Sequence, residues 1–145
     1  MIGYGPLKAK LISMAADRHL LGTVMKFDSP KPRVDIANIL GKSKIFVIPS
    51  TKEGMPLALL EAMASGQCVI GSDIAGINDL ITNGVTGILV PSKNSVELAN
   101  AILAVANDEK LRNSLGVAAR EAVSQKYSLN EAIVNLDQAY LEIIC

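Results

Sequence analysis

The sequence predicts an α/β fold built on a doubly wound parallel sheet, with helices alone in its C-terminal part. Short runs rich in Ile and Val alternate with longer segments of helical spacing, joined by connections of a few residues. Most of these short runs are continuously apolar, which is typical of parallel strands covered on both faces. After residue 90 the strand pattern stops and only helical spacing follows.

The predicted elements follow one another in order. Strands are predicted at residues 2–4, 23–27, 44–48, 68–71 and 87–90, and the helices between them at residues 6–19, 33–40, 56–65 and 76–82. Three further helices are predicted at residues 95–107, 109–126 and 129–144. We expect a single domain over residues 1–145, with a parallel α/β core at 1–91 and a helical extension at 92–145. Because Met1 falls directly on the first strand, we also expect a strand and a helix of this sheet to be missing upstream.

The composition excludes several classes of protein. Lys and Arg total 14, and so do Asp and Glu, so the chain lacks the basic excess of a nucleic-acid binder. Half of the residues are apolar, which excludes a disordered chain, yet no apolar run approaches the roughly 18–20 residues of a membrane span. The two cysteines are too few for a disulfide scaffold or a zinc site. Cys68 is expected to be a buried small hydrophobe in a strand, and Cys145 a frayed terminal thiol.

The C-terminal helices carry ordinary N-terminal caps. Asn94 with Glu97 and Ser128 with Glu131 have the spacing of capping boxes, and Asp108 directly precedes a helix. These side chains are expected to bond the free amides of the first helical turns.

Three helices of the sheet region begin without such a residue. They open at Gly5-Pro6, Met55-Pro56 and Ala75-Gly76. Helices that follow parallel strands begin where ligands bind, and open helix starts there suit an anion such as phosphate. The other interpretation is that Gly and Pro serve tight turns and that Ser50, Thr51 or Asp73 caps from nearby. For Asp73 we favour a cap on the predicted 76–82 helix.

The segment from Glu53 to Gly66 carries most of the functional information. Pro56 suits a first helical turn, and Gly66 suits a left-handed end. Between them, Glu61 is the only ionisable residue among Leu, Ala and Met, so a buried helix is predicted, with a buried carboxylate that needs a partner. No Lys or Arg lies within one turn of it, so the partner must come from another element or from a ligand.

The spacing in this segment fits a ligand that carries a diphosphate. Glu61 lies five residues beyond Pro56, roughly 7–8 Å along the helix. A diphosphate on the amides of residues 57–59 would place a ribose there, and one carboxylate can accept bonds from two adjacent hydroxyls. Glu53 precedes the helix beside Gly54, which allows close backbone approach, and can accept hydroxyls of a sugar beyond the diphosphate. The alternatives are an exposed loop acid at Glu53 and a partly exposed helix-face acid at Glu61.

Several motifs together resemble one enzyme family. They are residues 53–66 with their Glu-x7-Glu spacing, the Gly3-x-Gly5 turn in residues 2–7, and residues 24–27, 45–50, 69–77 and 83–91. The set resembles the retaining GT-B glycosyltransferases of the glycogen-synthase-like and bacterial α-glycosyltransferase group 1 type. The resemblance implies the Rossmann-like C-terminal half of a GT-B fold.

The resemblance also implies a function and a site. The chain would be the donor-binding half of an enzyme that moves a sugar from a nucleoside-diphosphate sugar to a saccharide or lipid-linked acceptor. Glu61 would hold the ribose hydroxyls, and the diphosphate would leave without a metal ion or another cofactor. The implied site consists of catalytic Glu53 and the substrate-binding residues Gly3, Gly5, Gly54, Met55, Pro56, Leu57, Ala58 and Glu61.

Some features of the sequence depart from the family pattern. The Arg and Lys that neutralise the donor diphosphate belong to a loop before Met1, and the acceptor domain is absent too, so we expect no transfer by the chain alone. Asp28 replaces a usual Gly at the base-binding edge. Cys68, Ala75 and Asp79 replace Pro, Gly and Glu and are expected to be tolerated.

The expected partners follow from this interpretation. They are the nucleotide-sugar and a missing or separate N-terminal acceptor domain, in the cytoplasm or at the inner face of a membrane through a partner, and not nucleic acid. The alternative function is a non-catalytic binding or assembly subunit that pairs with a separate acceptor-domain chain. The strand expected to be missing upstream would leave an edge of the sheet exposed, and we expect this edge to favour dimerisation.

Overall fold

The computed structural model describes residues 1–144, so the thiol expected at Cys145 lies outside the described residues. The chain divides into two compact units, Met1–Ile39 and Leu40–Cys145. None of the described helices combines the length and the hydropathy that a membrane-crossing segment needs.

The first unit contains helix α1 (Lys8–Asp17) and most of α2 (Arg33–Lys42). The strands expected at residues 2–4 and 23–27 are wrong, because each segment contributes only to an isolated bridge. Ile2 pairs with Asp28, and Met25 pairs with Leu21. The amides of Val24 and Met25 both donate to the carbonyl of Leu20, so the middle of this segment forms a turn and these two donors are not available to a strand.

The second unit contains the sheet. Its strands are β1 (Ile45–Ile48), β2 (Cys68–Ser72) and β3 (Ile88–Val90), in the order β1-β2-β3 and all parallel. Its helices, besides the end of α2, are α3 (Leu57–Ala64), α4 (Ser95–Asn107), α5 (Glu109–Lys126) and α6 (Leu129–Ile144). The predicted parallel α/β fold is confirmed, and the bounds of α4, α5 and α6 coincide with the predicted ones.

The helix predicted at residues 76–82 does not form. Residues 75–80 make consecutive turns, in which the amides of Ile77 and Asn78 share the carbonyl of Ile74, and those of Leu80 and Ile81 share the carbonyl of Ile77. Gly76 has a φ of +84°, in the left-handed region, which interrupts helical geometry where the helix was expected to start.

The central strand β2 is buried along its whole length, on both faces. Cys68 and Ile70 pack in one cluster with Val90 of β3, Val105 of α4 and Leu115 of α5. On the opposite face, the backbone of Gly71 lies against the side chains of Ile77 and Ile81. This two-sided burial explains why β2 is continuously apolar in sequence.

Cys68 is buried as predicted, with 1% of its surface exposed. Burial raises the pKa of its thiol, and the positive charge of Arg112 offsets part of that effect. The thiol is therefore a neutral part of the core at physiological pH.

The caps expected on the three C-terminal helices are all present. The side chain of Asn94 accepts from the amide of Glu97 at 3.1 Å, and that of Asp108 from the amide of Leu111 at 2.9 Å. The hydroxyl of Ser128 accepts from the amide of Glu131 at 3.2 Å.

Arg112 of α5 is a buried cation that closes the end of α4. Only 8% of its surface is exposed, and its Nη1 donates to the carbonyls of Val105 at 2.9 Å and Ala106 at 3.2 Å. These carbonyls lie in the last turn of α4, where a helix has no partners of its own for them. Glu109 lies 3.9 Å from Nη2 but is largely exposed, so the backbone contacts matter more.

We expect Arg112→Met to lower the free energy of unfolding by about 2–3 kcal/mol, because it leaves buried carbonyls without donors. The measurement is urea unfolding followed by circular dichroism. Arg120→Met on the same helix is the matched control, because Arg120 is exposed, and should change stability by less than about 0.5 kcal/mol. Equal effects of the two substitutions would contradict this role of Arg112.

Candidate functional site

The start of α3 has no side-chain cap. Its N-cap residue is Pro56, and no side chain accepts a bond from the first turn. The amides of Leu57 and Ala58 form no hydrogen bond with any described residue, whereas the amide of Leu59 donates to the carbonyl of Pro56 at 3.0 Å. The expectation of three available amides is therefore wrong for Leu59, and two amides remain for an anion.

Glu61 is exposed, which corrects the expectation that its carboxylate is buried. The helix α3 is buried on one side only. Leu59, Ala62 and Met63 are buried, whereas Leu57 is 60% exposed. The argument that Glu61 requires a partner because of burial therefore fails. What the structure gives is a carboxylate that an approaching ligand can reach.

Glu53 is half-buried in the loop between β1 and α3. Its Oε1 accepts a hydrogen bond of 2.7 Å from the hydroxyl of Ser50, and this contact fixes the orientation of the carboxylate. Gly54 and Met55 are exposed, while Pro56 is buried and anchors the loop to the helix. The segment thus presents one oriented carboxylate and accessible backbone beside the free amides of α3.

The loop that carries Glu53 rests directly on the backbone of Gly76. A Cβ atom at position 76 would lie 2.1 Å from the carbonyl oxygen of Gly54 and 2.9 Å from that of Glu53, closer than real atoms approach. Gly76 also has a left-handed φ of +84°. Both observations require glycine at this position, and the loop after β2 therefore supports the loop after β1.

The turn around Gly76 is held by its own polar side chains. The carboxylate of Asp79 accepts from the amide of Gly76 at 3.0 Å, and that of Asp73 accepts from the side-chain amide of Asn78 at 3.0 Å. The expected cap by Asp73 is therefore wrong, and so is the proposal that the Gly76 start is open to a ligand. The protein itself occupies that amide.

Gly3 and Gly5 lie in the first unit, in the turn that leads from the Ile2 bridge into α1. The amide of Gly3 donates to the carbonyl of Asp28, and the carbonyl of Gly5 accepts from the amide of Lys8. The start of α1, like that of α3, has no side-chain cap. A mostly apolar pocket of about 290 Å³ is lined by residues 1–8 with Leu11, Phe27 and Asp28.

The structure thus brings together one part of the predicted site. The second unit holds the catalytic candidate Glu53 with Gly54, Met55, Pro56, Leu57, Ala58 and Glu61 in one loop and helix. The supporting contacts of Ser50, Gly76 and Asp79 were not predicted from the sequence. Ser50 lies three residues before Glu53, and this short spacing is a local signal from which the contact could have been predicted. The close approach of Gly76 to the Glu53 and Gly54 carbonyls joins distant parts of the chain and leaves no local signal in the sequence.

We expect Gly76→Ala to destabilise the protein by more than Gly84→Ala. Gly84 has a similar φ of +75° but would meet nothing within 4 Å, so its substitution reports the cost of the left-handed backbone alone, about 1–2 kcal/mol. The clash with the Glu53–Gly54 backbone should add about 1–3 kcal/mol. Denaturant unfolding of both variants measures the difference, and equal losses would show that the contact does not constrain the loop.

Known proteins resemble this chain in sequence and in structure. The chain is 37% identical to the N,N'-diacetylbacillosaminyl-diphospho-undecaprenol alpha-1,3-N-acetylgalactosaminyltransferase of Campylobacter jejuni, over 77% of this chain and 28% of that protein. It is 36% identical to the amylovoran biosynthesis glycosyltransferase AmsK of Erwinia amylovora, over 88% of this chain and 33% of that protein. The chain thus spans about a third of the length of these curated relatives.

A solved structure and a family pattern complete the comparison. The structure is that of an S. aureus TarM variant in complex with UDP, Fondaparinux and alpha-GlcNAc-glycerol. It superimposes with a TM-score of 0.83 at 30% identity, over 92% of this chain and 27% of that one. Residues 1–122 match the family described as glycosyl transferases group 1. The chain therefore belongs to the group 1 glycosyltransferases, which have the GT-B fold.

Proposed function

We propose that the chain is the donor-binding part of a retaining glycosyltransferase. In the complete enzyme a sugar moves from a nucleoside-diphosphate sugar to a saccharide or lipid-linked acceptor. The observation that carries the proposal is the uncapped start of α3, where two free amides, of Leu57 and Ala58, lie between the oriented carboxylate of Glu53 and the accessible carboxylate of Glu61. The UDP in the TarM structure and the diphospho-undecaprenol in the name of the Campylobacter relative support it.

The helix start is suited to the diphosphate of the donor. The amides of Leu57 and Ala58 point along the helix axis towards its N-terminus, where the helix dipole favours negative charge. As the bond between sugar and diphosphate breaks, negative charge grows on the leaving group, and donors already in place stabilise it without reorganisation. In this proposal no metal ion or other cofactor takes part.

The two glutamates have different tasks in the proposal. Glu61 is three residues beyond Ala58 and four beyond Leu57, so all three lie on one side of α3 and the carboxylate can accept from the ribose hydroxyls. Glu53, held by Ser50, faces the donor sugar and is the catalytic candidate. In the proposal the backbone of Gly54, Met55 and Pro56 surrounds the same sugar, while the substrate-binding role expected for Gly3 and Gly5 stays a prediction.

The test of the nucleotide site is a calorimetric titration of the chain with UDP. We expect Glu61→Ala to weaken UDP binding by about 10- to 100-fold, because bonds from hydroxyls to a charged acceptor are lost. Glu121→Ala is the matched control, since Glu121 is also an exposed helical glutamate, on α5. Undiminished binding by Glu61→Ala would refute the role of Glu61.

We further expect the 145-residue chain to release no UDP from a UDP-sugar, in the presence or absence of a saccharide acceptor. The acceptor half and the Arg and Lys that the family sets against the diphosphate are not among these residues. A coupled assay for UDP measures the release. Release by the chain alone would contradict the expectation, whereas release only after addition of a separate acceptor-domain chain would favour the alternative of an assembly subunit.

A further inference from the structure

A pocket with a mixed polar and apolar lining lies at the carboxyl end of the sheet, at the start of α4. Its volume is about 200 Å³, and it is lined by Pro49, Ser72 and Val90 at the ends of the three strands and by Lys93, Asn94 and Ser95 at the helix start. The residues from 53 to 61 do not line it, so it is separate from the start of α3. The volume corresponds to that of about six or seven water molecules in the liquid, enough for a polyatomic anion.

The hydroxyl of Ser72 is the unusual group in this pocket. Ser72 is 2% exposed, yet its Oγ forms no hydrogen bond with any described residue. It ends β2 on the same face as Ile70 and Cys68, two and four residues earlier, and lines the pocket together with Leu98 of α4. Among the described residues, Gln67 Oε1 is the fully enclosed side-chain atom without a partner, so the unpaired Oγ of Ser72 is accessible and can bond a group within the pocket.

The first turn of α4 and Lys93 add further donors beside the pocket. Asn94 caps the amide of Glu97, but the amides of Ser95 and Val96 form no hydrogen bond with the described residues. Lys93 is exposed and has no ion pair in the described part of the chain. No Asp or Glu lines the pocket, and its surroundings therefore favour an anion.

We propose that this pocket binds a phosphate group, with the hydroxyl of Ser72, the ammonium of Lys93 and the amides of Ser95 and Val96 as its donors. A phosphate offers several acceptor oxygens to donors that converge from different elements. The same chemistry is provided by inorganic phosphate and by a phosphate monoester. The site is additional to the nucleotide site, and its existence does not depend on that proposal.

The experiment is an NMR titration of the ¹⁵N-labelled chain with inorganic phosphate at constant ionic strength. We expect saturable shifts of the amides of Ser95 and Val96 that persist when UDP is present in excess. Ser72→Ala and Lys93→Asn should each weaken binding by about tenfold. Asn is chosen because Lys93 has a φ of +62°, which Asn adopts readily, so the substitution removes the charge and keeps the backbone.

The controls separate this site from the rest of the protein. Lys110→Gln, at an exposed position on α5, should leave phosphate binding unchanged. Ser72→Ala removes no hydrogen bond within the described structure, and an unchanged melting temperature would show that it folds; Lys93→Asn, at an exposed position, gives an independent answer.

The remaining results of the titrations identify the ligand and decide whether the proposal holds. A parallel titration with glycerol 3-phosphate identifies the source: tighter binding than inorganic phosphate supports a phosphorylated small molecule, and equal binding supports the free ion. Shifts confined to Leu57 and Ala58, shifts abolished by UDP, the absence of saturable shifts, or unchanged affinity in both variants would overturn the proposal.

Discussion

The backbone contact between Gly76 and the carbonyls of Glu53 and Gly54 is the constraint on which the candidate site depends. Ile48 of β1 and Gly71 of β2 are direct partners in the parallel register, so the loops that follow the two strands emerge side by side. The loop after β2 can support the loop after β1 only because position 76 has no Cβ. The backbone of Glu53 packs against Gly76, and its carboxylate accepts a hydrogen bond from Ser50. Glu53 therefore has a fixed position before any ligand arrives.

The helix α3 divides structural and functional tasks between its two sides. Leu59, Ala62 and Met63 have the i, i+3, i+4 spacing of one helix face and are buried. Glu61 lies four residues after Leu57 and three after Ala58, and these three residues are exposed on the other side of the helix. The buried face fixes the helix against the sheet and α5, and the exposed face therefore presents its amides and carboxylate in a constant arrangement.

The sequence predicted best those elements whose signals are local. The caps and helical spacing of α4, α5 and α6 located them to the residue, and the continuous apolar runs located β1, β2 and β3 to within one residue. Residues 23–27 failed because the carbonyl of Leu20 captures two of their amides, and residues 76–82 failed because a tertiary contact selects a left-handed Gly76. The exposure of Glu61 escaped prediction because a window of apolar residues does not show which side of a helix the sheet covers.

In the second unit, α3 lacks the stabilising side-chain cap that α4, α5 and α6 have. The helices α4, α5 and α6 each have a side-chain cap, an interaction that typically contributes about 1 kcal/mol. The helix α3 begins at Leu57, and its N-cap residue is Pro56, which has an extended backbone rather than the expected place in the first helical turn and supplies no side-chain acceptor for the amides of Leu57 and Ala58. A Ser or Asp at that position would satisfy one of these donors and would place an oxygen where the proposed diphosphate would bind. The uncapped start of α3 therefore fits the proposal that a ligand takes the place of the cap.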